Sequence, residues 1–204
     1  DSPLAAGTTY TAVVSGAQNS SGTPMSGSKS WSFTTSASSQ CPCSIWPDTA
    51  QPSVASASDP SAVNLGVKFT ADTSGWVTGI RFYKGAGNTG THVGSLWTAS
   101  GTLLGQVTFT GESAAGWQEA DFSSPIPVTA GTTYVASYFA PDGGYSYNPA
   151  AFASAGADSP PLHAPQSSAV SGGNGVYLYG GSPAFPTDTY NATNYWVDVV
   201  FTEP

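Results

Sequence analysis

Two stretches, Trp76-Val77-Thr78-Gly79-Ile80-Arg81-Phe82-Tyr83 and Tyr195-Trp196-Val197-Asp198-Val199-Val200-Phe201-Thr202, decide the fold class. In an extended chain, successive side chains point to opposite faces. The first stretch then groups Trp76, Thr78, Ile80 and Phe82 on one face, with Val77, Gly79, Arg81 and Tyr83 on the other. The second turns Tyr195, Val197, Val199 and Phe201 to a core and leaves Trp196, Asp198 and Val200 opposite. Arg81 and Asp198 are mid-strand charges, and the pattern predicts a salt bridge between them across the sheet surface. Further strand signals fall at Tyr10–Val14, Ser30–Thr34, Leu65–Thr70, Ser95–Thr98, Leu103–Phe109, Trp117–Phe122, Thr133–Phe139 and Val176–Tyr179. Gly, Pro, Asn and Asp clusters separate them. No stretch sustains a helical period. The expectation is an all-β chain folded as an antiparallel β-sandwich of jelly-roll or Ig-like type.

Composition narrows the function. The 204 residues carry 4 Lys and Arg against 12 Asp and Glu, a net charge of −8, and only 8% are charged. Four cations cannot form the basic footprint that nucleic acid requires. No apolar run reaches the roughly 18 residues of a membrane span. The 6 Trp, 10 Tyr and 9 Phe exclude a disordered chain. A surface kept soluble by Ser, Thr, Gly and Asn suits a secreted or cell-surface protein.

The chain divides into three parts by pattern. Residues 1–35 hold two strands, in Ala6-Gly7-Thr8-Thr9-Tyr10-Thr11-Ala12-Val13-Val14 and Lys29-Ser30-Trp31-Ser32-Phe33-Thr34-Thr35. That is too little for a domain. These segments resemble the last two strands of a bacterial Ig-like domain of the surface-layer type. Their unpaired edges are expected to dock, to be mobile or to pair with another chain. Residues 36–40, Ser-Ala-Ser-Ser-Gln, read as a flexible linker. Residues 41–204 then form one β-sandwich domain.

Five segments of that domain carry a specific resemblance. They are Arg81-Phe82-Tyr83-Lys84-Gly85-Ala86-Gly87-Asn88-Thr89-Gly90-Thr91-His92-Val93-Gly94-Ser95-Leu96-Trp97, Gly131-Thr132-Thr133-Tyr134-Val135-Ala136-Ser137-Tyr138, Pro161-Leu162-His163-Ala164, Asn174-Gly175-Val176-Tyr177 and Asn194-Tyr195-Trp196-Val197-Asp198-Val199-Val200-Phe201. Together they resemble an uncharacterised domain family of secreted bacterial proteins that stands beside Ig-like repeats. The resemblance implies a sandwich outside the cell and brings no activity, so function rests on the residues themselves.

Residues 141–192 are long and poor in strand signals, as functional loops often are. Tyr145, Tyr147, Tyr177, Tyr179 and Tyr190 recur there among Asn148, Asn174 and Asp188. Aromatic rings stack on the C–H faces of a sugar, while amide and carboxylate oxygens take its hydroxyls. The pattern predicts a non-catalytic site for a neutral polysaccharide or glycan, with the Asn88–His92 loop at the same end. Aromatics that merely pin a long loop to the sheet are the competing account.

A second expectation is a metal site. His92 and His163 are the chain's 2 histidines. If they converge, they suit copper or zinc. Loop Asp and Asn residues also suit calcium, though no spacing names its ligands. Cys41 and Cys43 form a local disulfide, share a metal or stay reduced. Catalysis has weak support. Glu119 and Asp121 share a strand face rather than straddling a cleft, with Glu112 nearby in sequence, and no nucleophile elbow occurs. The third expectation is a structural or adhesion spacer with no small ligand.

Overall fold

In the computed structural model, which describes residues 4–5, 7–35 and 41–204, every predicted strand segment overlaps a strand, but Tyr195 and Trp196 precede β13, Trp196 with φ 57°. The linker reading of 36–40 lies outside the described residues. The chain comprises two units, Asp1–Gln40 and Cys41–Pro204.

In the first unit, β1 (Thr9–Val14) pairs antiparallel with β2 (Lys29–Thr34), setting Tyr10 opposite Phe33 and Ala12 opposite Trp31. Strand alternation sorts the two faces chemically. On one, Tyr10 stacks on Phe33 with ring centroids 6.0 Å apart. On the other, hydroxyls pair across the strands, Thr9 with Thr34 at 2.8 Å and Thr11 with Ser32 at 2.9 Å. Trp31 and Phe33 remain exposed.

The second unit contains β3 (Val63–Ala71), β4 (Gly75–Lys84), β5 (Val93–Thr98), β6 (Leu103–Thr108), β7 (Gly116–Val128), β8 (Tyr134–Ala140), β9 (Ala157–Ser159), β10 (Leu162–Ala164), β11 (Val176–Tyr179), β12 (Asp188–Thr189) and β13 (Val197–Thr202). One sheet runs β12-β11-β3-β8-β5-β6, with the β9–β10 hairpin also joined to β3. The other runs β13-β4-β7. All pairs are antiparallel. The result is a β-sandwich.

The core lies between the two sheets. Leu65, Val67 and Phe69 of β3, Tyr138 of β8 and Leu96 of β5 meet Val77, Ile80 and Phe82 of β4 and Val197, Val199 and Phe201 of β13. Phe82 stacks on Tyr138 across the gap, with centroids 4.2 Å apart. Gly94 of β5 permits a close approach, because a Cβ there would stand 2.9 Å from Cβ of Ile80. Central strand β8 is buried along its whole length, because Trp97, Val135, Val176 and Phe185 form a second apolar layer on the outer face.

The even alternation expected for Trp76–Tyr83 breaks at Thr78. Both ladders of β4 skip this residue, β7 pairing Val77 then Gly79, and β13 doing the same. A bulge shifts facing by one position. Val77 therefore joins Ile80 and Phe82 in the core, while Trp76 is left 38% exposed.

The expected surface bridge between Arg81 and Asp198 is also corrected. The two are cross-strand neighbours, but the segment from Cys41 to Asp48 lies over them. Arg81 Nη1 pairs with Asp48 at 2.9 Å and donates to Ser44 Oγ at 3.1 Å. Asp198, fully buried, accepts the backbone N–H groups of Ile45 and Trp46 at 2.9 and 3.1 Å. Asp198 thus fastens the strap to β13.

Candidate functional site: a tyrosine basin around Asp59

The segment read from sequence as a long loop contains four short strands and a 3₁₀ turn at Ser167–Ala169. These elements gather the tyrosines. β11 joins the edge of β3, placing Tyr177 opposite Leu65 and Tyr179 opposite Val63. Tyr145 and Tyr147 run beside an extended segment, where Ala57 N–H donates to Tyr145 O at 2.8 Å and Tyr147 N–H to Val54 O at 2.9 Å. Asn191 and Ala192 form the turn after Tyr190 with φ of 50° and 46°. For a residue with a Cβ, that conformation costs roughly 1–2 kcal/mol. Gly175 (φ 75°) lets the chain pass against the Thr193 carbonyl, where a side chain would collide.

Ring contacts link five tyrosines in a row. Tyr147 meets Tyr145 at 6.1 Å, Tyr145 meets Tyr195 at 5.9 Å, Tyr195 meets Tyr177 at 6.2 Å, and Tyr177 meets Tyr179 at 5.6 Å. Their planes are inclined by 56° to 75°, so the row curves instead of stacking flat. Two neighbouring cavities of about 240 and 300 Å³ share Tyr145, Tyr190 and Tyr195 as walls. Tyr190 is 68% exposed and Tyr179 51%. Large rings left in water at a concave site are the feature that calls for a ligand.

One carboxylate sits among them. Asp59 Oδ2 accepts the hydroxyls of Tyr179 at 2.5 Å and Tyr145 at 3.3 Å, while Oδ1 accepts Ser61 N–H at 3.0 Å. Slight burial works to raise the pKa of Asp59. The hydrogen bonds from Tyr179, Ser61 and Tyr145 outweigh it and hold the carboxyl below its ordinary value. Tyr145 and Tyr195 are pushed up, chiefly by burial, and Tyr179 is pushed up first by its bond to Asp59. All three phenols stay neutral donors at neutral pH.

Of the residues singled out by sequence, the basin assembles Tyr145, Tyr147, Tyr177, Tyr179 and Tyr190. It does not include the polar three. Asn148 Oδ1 accepts Ser53 N–H at 2.6 Å and Trp196 Nε1–H at 3.0 Å, which spends it on joining segments. Asn174 is fully buried and completes a gap in the β3 ladder between β10 and β11. Its Oδ1 accepts Lys68 N–H at 2.8 Å, and its Nδ2 donates to the carbonyls of Lys68 and Pro165 at 3.0 and 2.8 Å. Asp188 is exposed on β12 beside Tyr177 and lines neither cavity. Asp59 carried no signal in the sequence, and Tyr195 read only as a core residue.

The two histidines occupy separate clusters with no shared partner. His92, fully buried against Phe82, contacts Glu112 through Nδ1 at 2.8 Å and Asn88 Oδ1 through Nε2 at 2.8 Å. Burial lowers its pKa, with Glu112 opposing. Glu112 also holds Lys84 at 2.7 Å, and Asn88 donates to Tyr138 Oη at 3.1 Å. His163 lies between Asp158 and Asp72, with nitrogen-to-oxygen distances of 2.7 and 2.9 Å. Burial lowers its pKa, and the bonds to Asp72 and Asp158 more than reverse that. Among the described residues, no group of three or more His, Cys, Asp or Glu side chains is arranged to hold a metal. Cys41 and Cys43 are bonded to each other, with Cα atoms 4.4 Å apart.

A larger groove of about 610 Å³ lies along the Cys41–Asp48 strap, lined by Trp46, Arg81, Glu119 and Asp158 among others. It mixes charges of both signs, and Arg81 is already paired with Asp48 and seated 4.5 Å over the Trp117 ring. Glu119 and Asp121 are exposed on β7. Among the described residues, no helix is long and apolar enough to cross a membrane.

No curated protein matches the chain. Residues 49–197 match the family described as a domain of unknown function (DUF4082), a span covering most of the β-sandwich unit, and the chain belongs to that family.

Proposed function

We propose that the protein is an extracellular, non-catalytic module that binds glycans free of acidic groups through the basin around Tyr145, Tyr179, Tyr190 and Tyr195. The observation that carries the reading is the pair of adjoining cavities sharing tyrosine walls, with Tyr190 and Tyr179 open to water. Each cavity is near the lower end of small-ligand sites, roughly 300 Å³. Adjoining cavities suit consecutive sugars of one chain. Asp59 repels an acidic polymer and accepts hydroxyls from an uncharged one. An address outside the cell fits the bonded Cys41–Cys43 pair and a chain with 8% charged residues.

Residues 1–35 add a second reading, that this module stands in an array of Ig-like domains. The exposed aromatic face of the β1–β2 hairpin, with Trp31 50% and Phe33 43% exposed, favours it. One apolar and one hydroxyl face is the pattern of a sheet made to be covered on one side.

Retention of the full chain on insoluble cellulose, chitin and xylan, together with a glycan array, tests the main reading. Retention on at least one glycan supports it, and none on any glycan refutes it.

A further inference from the structure

The carboxylate in the basin lacks a cation. Asp59 makes no ion pair among the described residues, and every partner it has is a neutral hydroxyl or backbone N–H. The cations of the β-sandwich unit are committed elsewhere. Arg81 pairs with Asp48, Lys84 with Glu112, and Lys68 Nζ donates to the Ser171 carbonyl at 2.7 Å. No Lys, Arg or His lines either basin cavity. A protein of net charge −8 keeps a carboxylate among tyrosines here, while Lys68, Arg81 and Lys84 of the same unit are engaged elsewhere.

Aromatic walls and a carboxylate together form a receptor for an alkylammonium group. Ring quadrupoles attract a cation by roughly 0.5–2 kcal/mol, and a fixed carboxylate adds direction. The hydroxyl of a neutral sugar gains a hydrogen bond to the carboxylate, whereas a protonated amine gains that bond together with charge pairing and the pull of the rings. We infer that Asp59 and the tyrosines around it hold the protonated amine of an amino sugar, so that the preferred glycan is neutral except for free amines. A partly deacetylated amino-sugar polymer has this composition. The inference rests on the glycan reading, because the paired cavities and the exposed Tyr190 ring favour a sugar chain over a basic peptide.

Calorimetric titration of the full chain with hexamers of glucosamine, N-acetylglucosamine and glucose separates the two claims. The glucosamine hexamer is expected to bind roughly five- to tenfold more tightly than the N-acetylated one, with the difference shrinking as salt rises. Asp59→Asn should bring the hexamers to equal affinity, whereas Asp59→Glu should keep the preference. Equal affinities in the unmodified chain, unaltered by Asp59→Asn, overturn the inference and leave the glycan reading standing. Binding of no hexamer, with no retention on insoluble glycans, overturns both. Displacement of the glucosamine hexamer by a lysine hexamer of greater affinity overturns the inference in favour of a basic peptide.

Discussion

Tyr179 places its hydroxyl 2.5 Å from Oδ2 of Asp59, joining residues 120 positions apart in the chain. The bond links β11 to the segment leading into β3. Of the hydrogen bonds that lower the carboxyl's pKa, it has the largest effect. Tyr179→Phe should raise the pKa of Asp59 toward its ordinary value while changing stability by less than about 1 kcal/mol, as the pair is solvent-exposed. Carbon-detected NMR titration of the Asp59 carboxyl checks this. An unmoved midpoint would show that Tyr179 is not the donor that matters.

Asp198 predicts a pH dependence of the opposite kind. Burial pushes its carboxyl from 3.8 up to about 6, against the backbone donors of Ile45, Trp46 and Val199 and the charge of Arg81. The folded protein therefore holds this proton more tightly than the unfolded chain. Its contribution to stability is present in full below about 3.8 and is lost as pH rises through about 6. The largest effect is about 3 kcal/mol. His163, raised by Asp72 and Asp158, loses its contribution in the same direction, as pH rises through its own elevated value. His92, lowered by burial, acts oppositely as pH falls below about 6.5, and Asp59 does so only below about 3.8. Urea unfolding of Asp198→Asn, compared with the unmodified chain at pH 4, 5, 6 and 7, should lose most of the slope between pH 4 and 6. An identical slope in the variant would assign it to other groups.

His92 is predicted to be a structural clasp. Both ring nitrogens are engaged, and its removal strands Asn88 Oδ1 and leaves the Glu112 carboxylate with Lys84 as its remaining side-chain partner. His92→Ala should cost about 3–5 kcal/mol from lost packing and unsatisfied polar groups. His92→Gln, which can still reach one partner, should cost less. Neither should alter the metal content of the purified protein. Thermal unfolding and elemental analysis read these outcomes, and metal lost in either variant would return His92 to ligand status.

Asn174 makes a similar prediction for the β3 ladder. Its amide substitutes for a missing strand at Lys68, so Asn174→Leu should destabilise by about 2–3 kcal/mol through orphaned backbone groups. Glycan affinity should stay unchanged, because Asn174 lines neither cavity. Denaturant unfolding and the hexamer titrations separate the two effects. A loss of affinity without a loss of stability would place Asn174 in the site.

The strand pattern was legible because alternation survives in a chain with few helical alternatives. It failed where geometry departs from period two, at Thr78, whose bulge moves Val77 into the core. Strands β9, β10 and β12 were hidden because runs of two or three residues beside Gly and Pro hold too little pattern to read. The tyrosines of the basin could be read as a group because they cluster in sequence. Asp59 could not, since only folding brings it from 120 residues away to Tyr179. Asn148, Asn174 and His92 look alike in sequence whether they face a ligand or serve the fold, and only the partners that folding brings to them decide.

The central claim is that the tyrosine basin binds glycan, and the exposed ring of Tyr190 tests it most directly. Its loss leaves the core untouched, since the side chain is 68% exposed. Tyr190→Ala should weaken binding of the best-retained glycan by roughly ten- to a hundredfold in calorimetric titration, in line with an aromatic stacking contact of about 1–3 kcal/mol, while the unfolding midpoint stays within error. Unchanged affinity in a Tyr190→Ala protein that still binds that glycan would place the binding surface elsewhere and contradict the account.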